Sequence, residues 1–575
     1  MGLDHRQRLD SFRRSLTPMH GAYGILLIVS GLLIIPPLIM MVWTSLTPGT
    51  GFEMGGEWSA SAYAELAVSD NFIQVISNTS VFGVSTVVGS LMLGIAMAWL
   101  VARTDAPFKS LIYACVFLQF AVPGMIWAIG WIFLLGPGAG FINTFLVGSL
   151  GLPIINIESM LGMVFVETLV LSPVVFLLLV GPFGTMDTSL EESARVCGAS
   201  KMTVYRRITT PLLLPSLLSV AILVLIRAVQ SFEVPLFLGT PAGIKVFTTE
   251  VFLELRNSMI PDYARASAFG TILVGLLVGV LGLYYRATRA VSKYAIVSGK
   301  GYRPKVTALG RGRYPVGAAI VALVLVYAAP TGVMLIRSFW IGFVPSAIDT
   351  KFSELFTLHN YQALVSFPNL WSGVTNSLII GLVSATVAVL ITSVAAWIIV
   401  RTRIRGRQGL DQLLSVPIVI PGTVLGLAFL ITYLRVPLPI YGTLWLFVLA
   451  YVANYSPYAM RYAQPAFLQI GAALEESARV SGGGSVTVFR RIVAPLVMPA
   501  LVGGWLYVFF HAFRNVSIAA LIYTAGSPVV ATQLLDMWAD GQINELAAYG
   551  SLLAVASIGI GLIAFSYARR LGFRG

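Results

Sequence analysis

The sequence predicts an all-α integral membrane protein with about twelve transmembrane helices, arranged as two parallel six-helix repeats. Three observations lead to this fold class: the composition, the number of long apolar runs, and one polar segment that occurs twice. Of the 575 residues, 57% are hydrophobic and 11% are charged, whereas about 25% are charged in an ordinary soluble domain. This composition excludes a water-soluble enzyme and a disordered chain, because lipid must solvate part of so much apolar surface.

The first apolar run extends from Tyr23 to Trp43 and follows a basic N-terminus. The apolar core of a signal peptide is shorter, so we expect a retained spanning helix. Each run is long enough to cross about 30 Å of hydrocarbon. The other runs lie near residues 79–102, 109–135, 160–182, 212–239, 267–285, 316–336, 377–400, 411–434, 443–464, 496–523 and 546–567.

Basic residues occur in alternate connections between these runs, and the positive-inside rule assigns such connections to the cytoplasm. They include the loops 184–211 and 468–495 and the segment 286–314. The connections 46–72 and 340–368 are then external. An even number of spans also predicts that both termini are cytoplasmic.

Residues 191–217 and 475–501 form an internal duplication, with 16 of 27 positions identical at an offset of 284. The dipeptides Arg103-Thr104 and Pro123-Gly124 recur at an offset of 298, so the first copy has 14 extra residues near 136–153. An even number of spans in each half gives both copies the same orientation, as in parallel transporter repeats. We predict two six-helix modules, residues 1–285 and 315–575, joined by a basic cytoplasmic linker, residues 286–314.

The duplicated segment is the least apolar part of each half, and its local pattern predicts a helix, a glycine turn and a second helix. Thr188 or Ser189 can cap the first helix, Gly198 can end it, and Ser200 can start a short helix that runs to about Ile208 before Pro211. An alternative is an amphipathic helix that holds lipid headgroups through basic side chains. Two nearly identical copies on one membrane face argue against lipid binding as the whole explanation.

The spacing Glu-x-Ala-x-x-x-Gly in both copies resembles the EAA loop of permease subunits in binding-protein-dependent ABC importers. Serine replaces the first alanine of that motif in both copies. The resemblance covers nearly the whole chain, as two permease modules fused in tandem, and implies a type I ABC importer permease fold. Residues 232–239 and 298–304 also resemble segments of the fused ferric-iron-type permeases.

The resemblance implies that the two loops couple transport to ATP hydrolysis, each docking on one copy of a cytoplasmic ABC ATPase subunit. The residues concerned are Glu192, Ser193, Ala194, Gly198, Glu476, Ser477, Ala478 and Gly482. It also implies a bacterial-type cytoplasmic (inner) membrane and an external periplasmic or lipoprotein solute-binding protein. Ferric iron is the expected solute. Polyamine, thiamine, an anion and a phosphonate stay open, because selectivity in this architecture lies largely in the external binding protein.

The sequence has no catalytic pattern of its own. A P-loop needs G-x-x-x-x-G-K-[ST], which does not occur, and the 4 histidines lack metal-ligand spacing. We therefore expect no catalytic residue, metal or cofactor in this chain, with ATP and magnesium bound by the partner ATPase, and no contact with nucleic acid.

Ionisable side chains are costly inside a bilayer, yet the fifth span of each half contains several polar residues. They either line the pathway between the halves or include an internal Arg–Glu pair that holds helices together. Glu167, in the fourth span, corresponds to Tyr451 in the second copy and is expected to be structural. The candidate pathway residues are Arg227, Gln230, Glu233, His511, Arg514 and Asn515.

Two other classes of protein fit the composition. A secondary transporter with two parallel halves has the same span number and symmetry, but it has no reason to present two matched cytoplasmic loops. A membrane enzyme would need carboxylates, histidines or a nucleophile clustered at membrane depth, and the sequence has no such cluster.

Overall fold

The computed structural model describes residues 3–48, 56–138, 140–185, 189–256, 261–291, 306–340, 356–482 and 484–570. Within these ranges every regular element is a helix, and the extended pairing is limited to two isolated bridges. The predicted all-α fold class is confirmed.

The first half contains twelve α-helices, numbered in chain order. They are α1 (Leu3–Leu46), α2 (Ser61–Ala67), α3 (Asp70–Arg103), α4 (Lys109–Ala121), α5 (Gly124–Leu135), α6 (Phe141–Leu150), α7 (Met160–Thr185), α8 (Ser189–Val196), α9 (Lys201–Val204), α10 (Thr210–Gln230), α11 (Phe247–Arg256) and α12 (Tyr263–Val291).

The second half repeats this order without a counterpart of α6, which lies in the predicted extra segment. Its helices are α13 (Arg313–Ser338), α14 (His359–Val365), α15 (Leu370–Arg401), α16 (Arg407–Ser415), α17 (Gly422–Arg435), α18 (Leu444–Gln469), α19 (Ala472–Val480), α20 (Ser485–Val488), α21 (Ala494–Phe513), α22 (Ala519–Ile522), α23 (Val530–Ala539) and α24 (Ile543–Arg570).

Among the described residues, 9 helices are long and apolar enough to cross a membrane, or up to 12 spans if each of three bent helix pairs is one span. Eleven of the twelve predicted spans are in this set. The twelfth, α18, has many polar side chains, but its 26 residues extend about 39 Å. The set also contains an unpredicted bent pair, Pro235–Ala242 followed by Phe247–Arg256. Its counterpart in the second half is α22 with α23, whose helices have 4 and 10 residues.

The two halves share individual geometric details as well as helix order. Both third spans are broken at an equivalent proline, and α4–α5 and α16–α17 are each bent by 107°. At the predicted external ends of the first spans, the hydroxyl groups of Ser45 and Tyr63 are 2.7 Å apart, and those of Ser338 and Tyr361 are also 2.7 Å apart. The sequence duplication is therefore also a structural duplication.

The first span of each half packs against the other half. Helix α1 contacts α15, α16 and α17, and α13 contacts α4 and α5. Tyr327 of α13 is fully buried, its ring centroid lies 5.4 Å from that of Trp127, and its hydroxyl donates to Leu169 O at 2.8 Å. The halves are interlocked, which brings their third and fifth spans together at one interface.

Candidate functional site

The two duplicated loops have the same fold at the predicted cytoplasmic face. Helices α8 and α19 each end in a left-handed glycine, Gly198 with φ 84° and Gly482 with φ 85°. Ala199 N donates to Ala194 O at 3.0 Å and closes the turn in the first copy. Glycine suits this position because side chains disfavour a positive φ. The predicted helix and glycine turn are present in both copies.

The second predicted helix of the loop is longer than expected. Ser200 Oγ accepts from Thr203 N at 3.2 Å, as predicted for a cap. However, the prediction that this helix ends near Ile208 is wrong, because the chain stays helical as far as Gln230. A π-helical turn at Tyr205–Thr209 precedes Pro211, which stands in the first turn of α10. Proline has no N–H to continue the helical hydrogen bonding, and the π-helical turn before it is where the bonding pattern changes.

The coupling residues form an accessible surface on each loop. Glu192, Ser193, Glu476 and Ser477 are exposed, whereas Ala194 and Ala478 are half-buried. The sequence analysis missed a valine at the end of each first helix, where Val196 is 88% and Val480 is 89% exposed. An exposed apolar side chain beside small residues, repeated in both loops, is a surface that another protein can cover.

Ion pairs that the sequence analysis also missed hold these loops to the second span of each half. Arg103 Nη2 lies 2.7 Å from Glu191 Oε2, and Arg401 Nε lies 2.9 Å from Glu475 Oε1. All four side chains are largely buried. The arginine recurs at the offset of 298 and the glutamate at the offset of 284. Nothing in the local sequence indicates that the two side chains meet. Thr209 Oγ1 donates to the other carboxylate oxygen of Glu191 at 2.8 Å.

Two of the candidate pathway residues donate hydrogen bonds across the half–half interface at equivalent places. Gln230 Nε2 donates to Ile418 O at 3.1 Å, and Arg514 Nη1 donates to Phe120 O at 2.7 Å and to Val122 O at 3.2 Å. Positions 230 and 514 are related by the offset of 284, and positions 120 and 418 by the offset of 298. In each half, a side chain at the end of the fifth span therefore donates a hydrogen bond to a backbone carbonyl group at the break in the third span of the other half.

These carbonyl groups are acceptors because the third spans break at proline. Pro123 and Pro421 precede α5 and α17, and neither has an N–H that could continue the preceding helix. The last carbonyl groups of a helix lack intrahelical donors. Donors from the opposite half satisfy them here.

Arg227 also reaches the other half. Its guanidinium carbon lies 5.0 Å from the ring centroid of Tyr458 in α18, and its side chain is exposed rather than enclosed. Cation–π contact with a tyrosine face stabilises such a charge without neutralising it. Arg227 therefore contacts the opposite half, and its role in lining the pathway stays a prediction.

For the remaining three candidates, the hydrogen bonds and ring contacts lie within their own halves, although Glu233 also interacts electrostatically with Arg514 of the other half. His511 stacks on Tyr507 with ring centroids 4.0 Å apart. Asn515 Oδ1 accepts from Ile518 N at 2.8 Å, and its amide donates to Tyr455 OH at 2.7 Å. Glu233 lies against Gly124, where a methyl group would collide with Glu233 Oε2. The chain turns out of the helix at Arg514, so one helix face does not hold all three second-half residues.

The alternative of an internal Arg–Glu pair is not what the structure shows. Among the ion pairs between described residues, none joins Arg227 to Glu233. Glu167 is buried and accepts a hydrogen bond from Ser231 Oγ at 2.8 Å, which suits the structural role expected for it. Within the part of the chain that the structure describes, no group of three or more His, Cys, Asp or Glu side chains could hold a metal ion.

Comparisons with known proteins identify the type of transporter. Residues 90–292 match the family described as binding-protein-dependent transport system inner membrane component. A ferric transport system permease of Actinobacillus pleuropneumoniae is 27% identical over 497 residues, which are 85% of this chain and 70% of that protein. A probable ABC transporter permease of Sinorhizobium fredii is 26% identical over 555 residues, 92% of this chain and 95% of that protein.

A putrescine transport system permease of Escherichia coli K12 is 28% identical over 217 residues, which are 36% of this chain but 75% of that protein. Such coverage is expected when a fused chain matches a single permease. The chain is a fused permease of the ABC importer type, a multi-pass membrane protein that resembles the ferric-iron-type permeases. It is a transport component, not an enzyme, and this type works with an ATPase and a solute-binding protein.

Proposed function

We propose that this chain forms the pathway through which ferric iron, delivered by an external binding protein, crosses a bacterial-type cytoplasmic membrane. Ferric transport is the named role of the Actinobacillus relative that matches most of the chain. Polyamine is the second candidate, because a shorter match is a putrescine permease. We further propose that both termini are cytoplasmic and that the partner ATPase, not this chain, binds ATP and magnesium.

The observation that supports this proposal best is the pair of matched loops. Two surfaces with the same glycine turn, the same exposed valine and equivalent ion pairs suit two copies of one ATPase subunit. Glu192 and Glu476 then enter clefts of the two subunits. The small side chains beside them let the partner approach closely.

Replacing both Glu192 and Glu476 with alanine should detach or uncouple the ATPase while the chain still inserts. The measurement is co-purification of the tagged chain with its ATPase, together with uptake of radioactive ferric iron and of putrescine by cells. A matched control removes two exposed acids from the predicted external face, Glu57 and Asp540, and should keep the ATPase bound. Normal co-purification and transport by the double variant would contradict the coupling role.

A further inference from the structure

The breaks in the two third spans differ in the charge of the side chain that donates hydrogen bonds to them. The break near Pro421 accepts the neutral amide of Gln230, whereas the break near Pro123 accepts the guanidinium of Arg514. The backbone geometry of the two sites is otherwise similar, with the same bend of 107°.

The two breaks also differ in the acidic residues near them. Glu233 lies against Gly124, directly after Pro123, and interacts electrostatically with Glu167 and with Arg514. The residues at the equivalent positions of the second half are Ser517 and Tyr451, which carry no carboxylate. The break that receives a cation therefore has one acid, Glu233, against it and a second acid, Glu167, near Glu233, whereas the equivalent positions of the second half carry no acid.

Both crossing hydrogen bonds must change when the halves separate to open a path. Arg514 belongs to the second half, while the carbonyl groups of Phe120 and Val122 and the carboxylate of Glu233 belong to the first. Separation would uncover these oxygen atoms together. Polar oxygens away from water are costly unless another donor or cation replaces the lost partner. Carbonyl and carboxylate oxygens are the ligands that hard cations prefer, and they also accept hydrogen bonds from ammonium groups.

We propose that the break around Pro123 is a transient binding site for a cationic solute, and that the Arg514 guanidinium fills it while the halves are in contact. This inference rests on the proposed function, because it assumes that the solute passes between the halves. The ligand class is a cation bound through carbonyl and carboxylate oxygens, which covers a ferric ion and an amine group of a polyamine.

A competing explanation is that Glu233 only balances the charge of Arg514. The double variant E233Q/R514Q separates the two ideas, because it gives the first break a neutral amide donor like that at the second. If the acid only balances charge, E233Q alone is impaired and the double variant transports normally. If the break binds solute, the double variant should still assemble with its ATPase but lose transport by about tenfold or more, which corresponds to a loss of about 1.4 kcal/mol in binding.

A binding measurement decides the question without transport. The full chain with its ATPase, in lipid nanodiscs, is titrated with terbium(III), a trivalent oxygen-seeking probe, before and after the complex is trapped with nucleotide and vanadate. We expect a terbium signal that appears on trapping and is lost in E233Q but kept in E57Q, an external control. A signal unchanged by E233Q, or normal transport by the double variant, would overturn the inference.

Competition identifies the solute. Displacement of terbium by gallium(III) favours a metal ion, and displacement by putrescine favours an amine, and either result supports a cation site. Failure of the wild-type chain to take up ferric iron or putrescine would contradict the proposed function alone, because the terbium signal and its dependence on Glu233 would still decide whether the site exists.

Discussion

Adjacent glutamates in the coupling loop have different surroundings, and this difference predicts different effects of substitution. Glu191 is largely buried and pairs with Arg103 at 2.7 Å, whereas Glu192 is exposed on the surface proposed for the ATPase. Removing one partner of a buried ion pair leaves an uncompensated charge, which costs roughly 3 kcal/mol. Removing an exposed charge costs little.

Glu191→Ala should therefore lower the thermal stability of the purified chain, while Glu192→Ala should leave it nearly unchanged. The measurement is the loss of monodisperse protein on heating, followed by fluorescence-detected size-exclusion chromatography. Glu475→Ala should behave like Glu191→Ala, because Glu475 pairs with Arg401 at 2.9 Å. Equal stability of the Glu191 and Glu192 variants would show that the ion pair contributes nothing to holding the loop.

At the scale of elements, the orientation of the coupling loops can be tested with a native thiol. Cys197 is exposed beside Gly198, and Cys115 is buried. An impermeant maleimide applied to intact spheroplasts should leave Cys197 unlabelled and should label a cysteine introduced as Glu57→Cys, which is on the predicted external face. After lysis Cys197 should become reactive, and added ATPase should protect it. Labelling of Cys197 in intact cells would reverse the proposed topology.

The long elements could be predicted from the sequence because each is specified locally. A run such as α3 or α15 is apolar throughout and can satisfy its backbone groups within one helix. The bent pair that ends in α11 was missed because its acid Glu250 has one of its partners far away in the chain. Glu250 accepts from Asn71 Nδ2 at 2.5 Å and pairs with Lys245 at 3.3 Å. No local stretch of sequence contains both Asn71 and Glu250.

The site was predictable to the same extent. The glycine turns follow from local spacing and were predicted at the right positions, whereas the coupling role of the exposed residues beside them stays a prediction. The repeat also indicated that Gln230 and Arg514 are equivalent. Their acceptors could not be predicted, because Phe120 and Ile418 contribute only backbone carbonyl groups and any residue type has one. Asn515 does not continue the helix face of His511 as predicted, because α21 ends at Phe513.

At the scale of the whole molecule, the two halves interlock through their first spans. Helix α13 lies between α24 of its own half and α4 and α5 of the other, and α1 lies between α12 and α17 in the same manner. Each first span therefore packs on helices of both halves. This arrangement explains why one chain can hold a pathway at the half–half interface without a large soluble domain to join the halves.

The interlock predicts the behaviour of a chain cut in the linker. Fragments 1–298 and 299–575, expressed together, should assemble and support transport, because the cut leaves the contacts of α1 and α13 with the opposite half intact. Either fragment alone should be degraded. In the second fragment by itself, the Tyr327 hydroxyl loses its acceptor, Leu169 O, and its ring loses Trp127. An unpaired buried polar group costs about 1–3 kcal/mol, and the rest of α13 loses its packing surface as well.

The measurement uses a different tag on each fragment, with immunoblotting of each expressed singly and co-purification of the two expressed together. Tyr327→Phe is a matched variant that keeps the ring and removes only the hydroxyl, so it should weaken the recovery of the pair without abolishing it. A single fragment that accumulates like the full chain and runs as one species would mean that each half folds alone. The contacts of α1 and α13 with the opposite half would then be a consequence of assembly and not a condition for it.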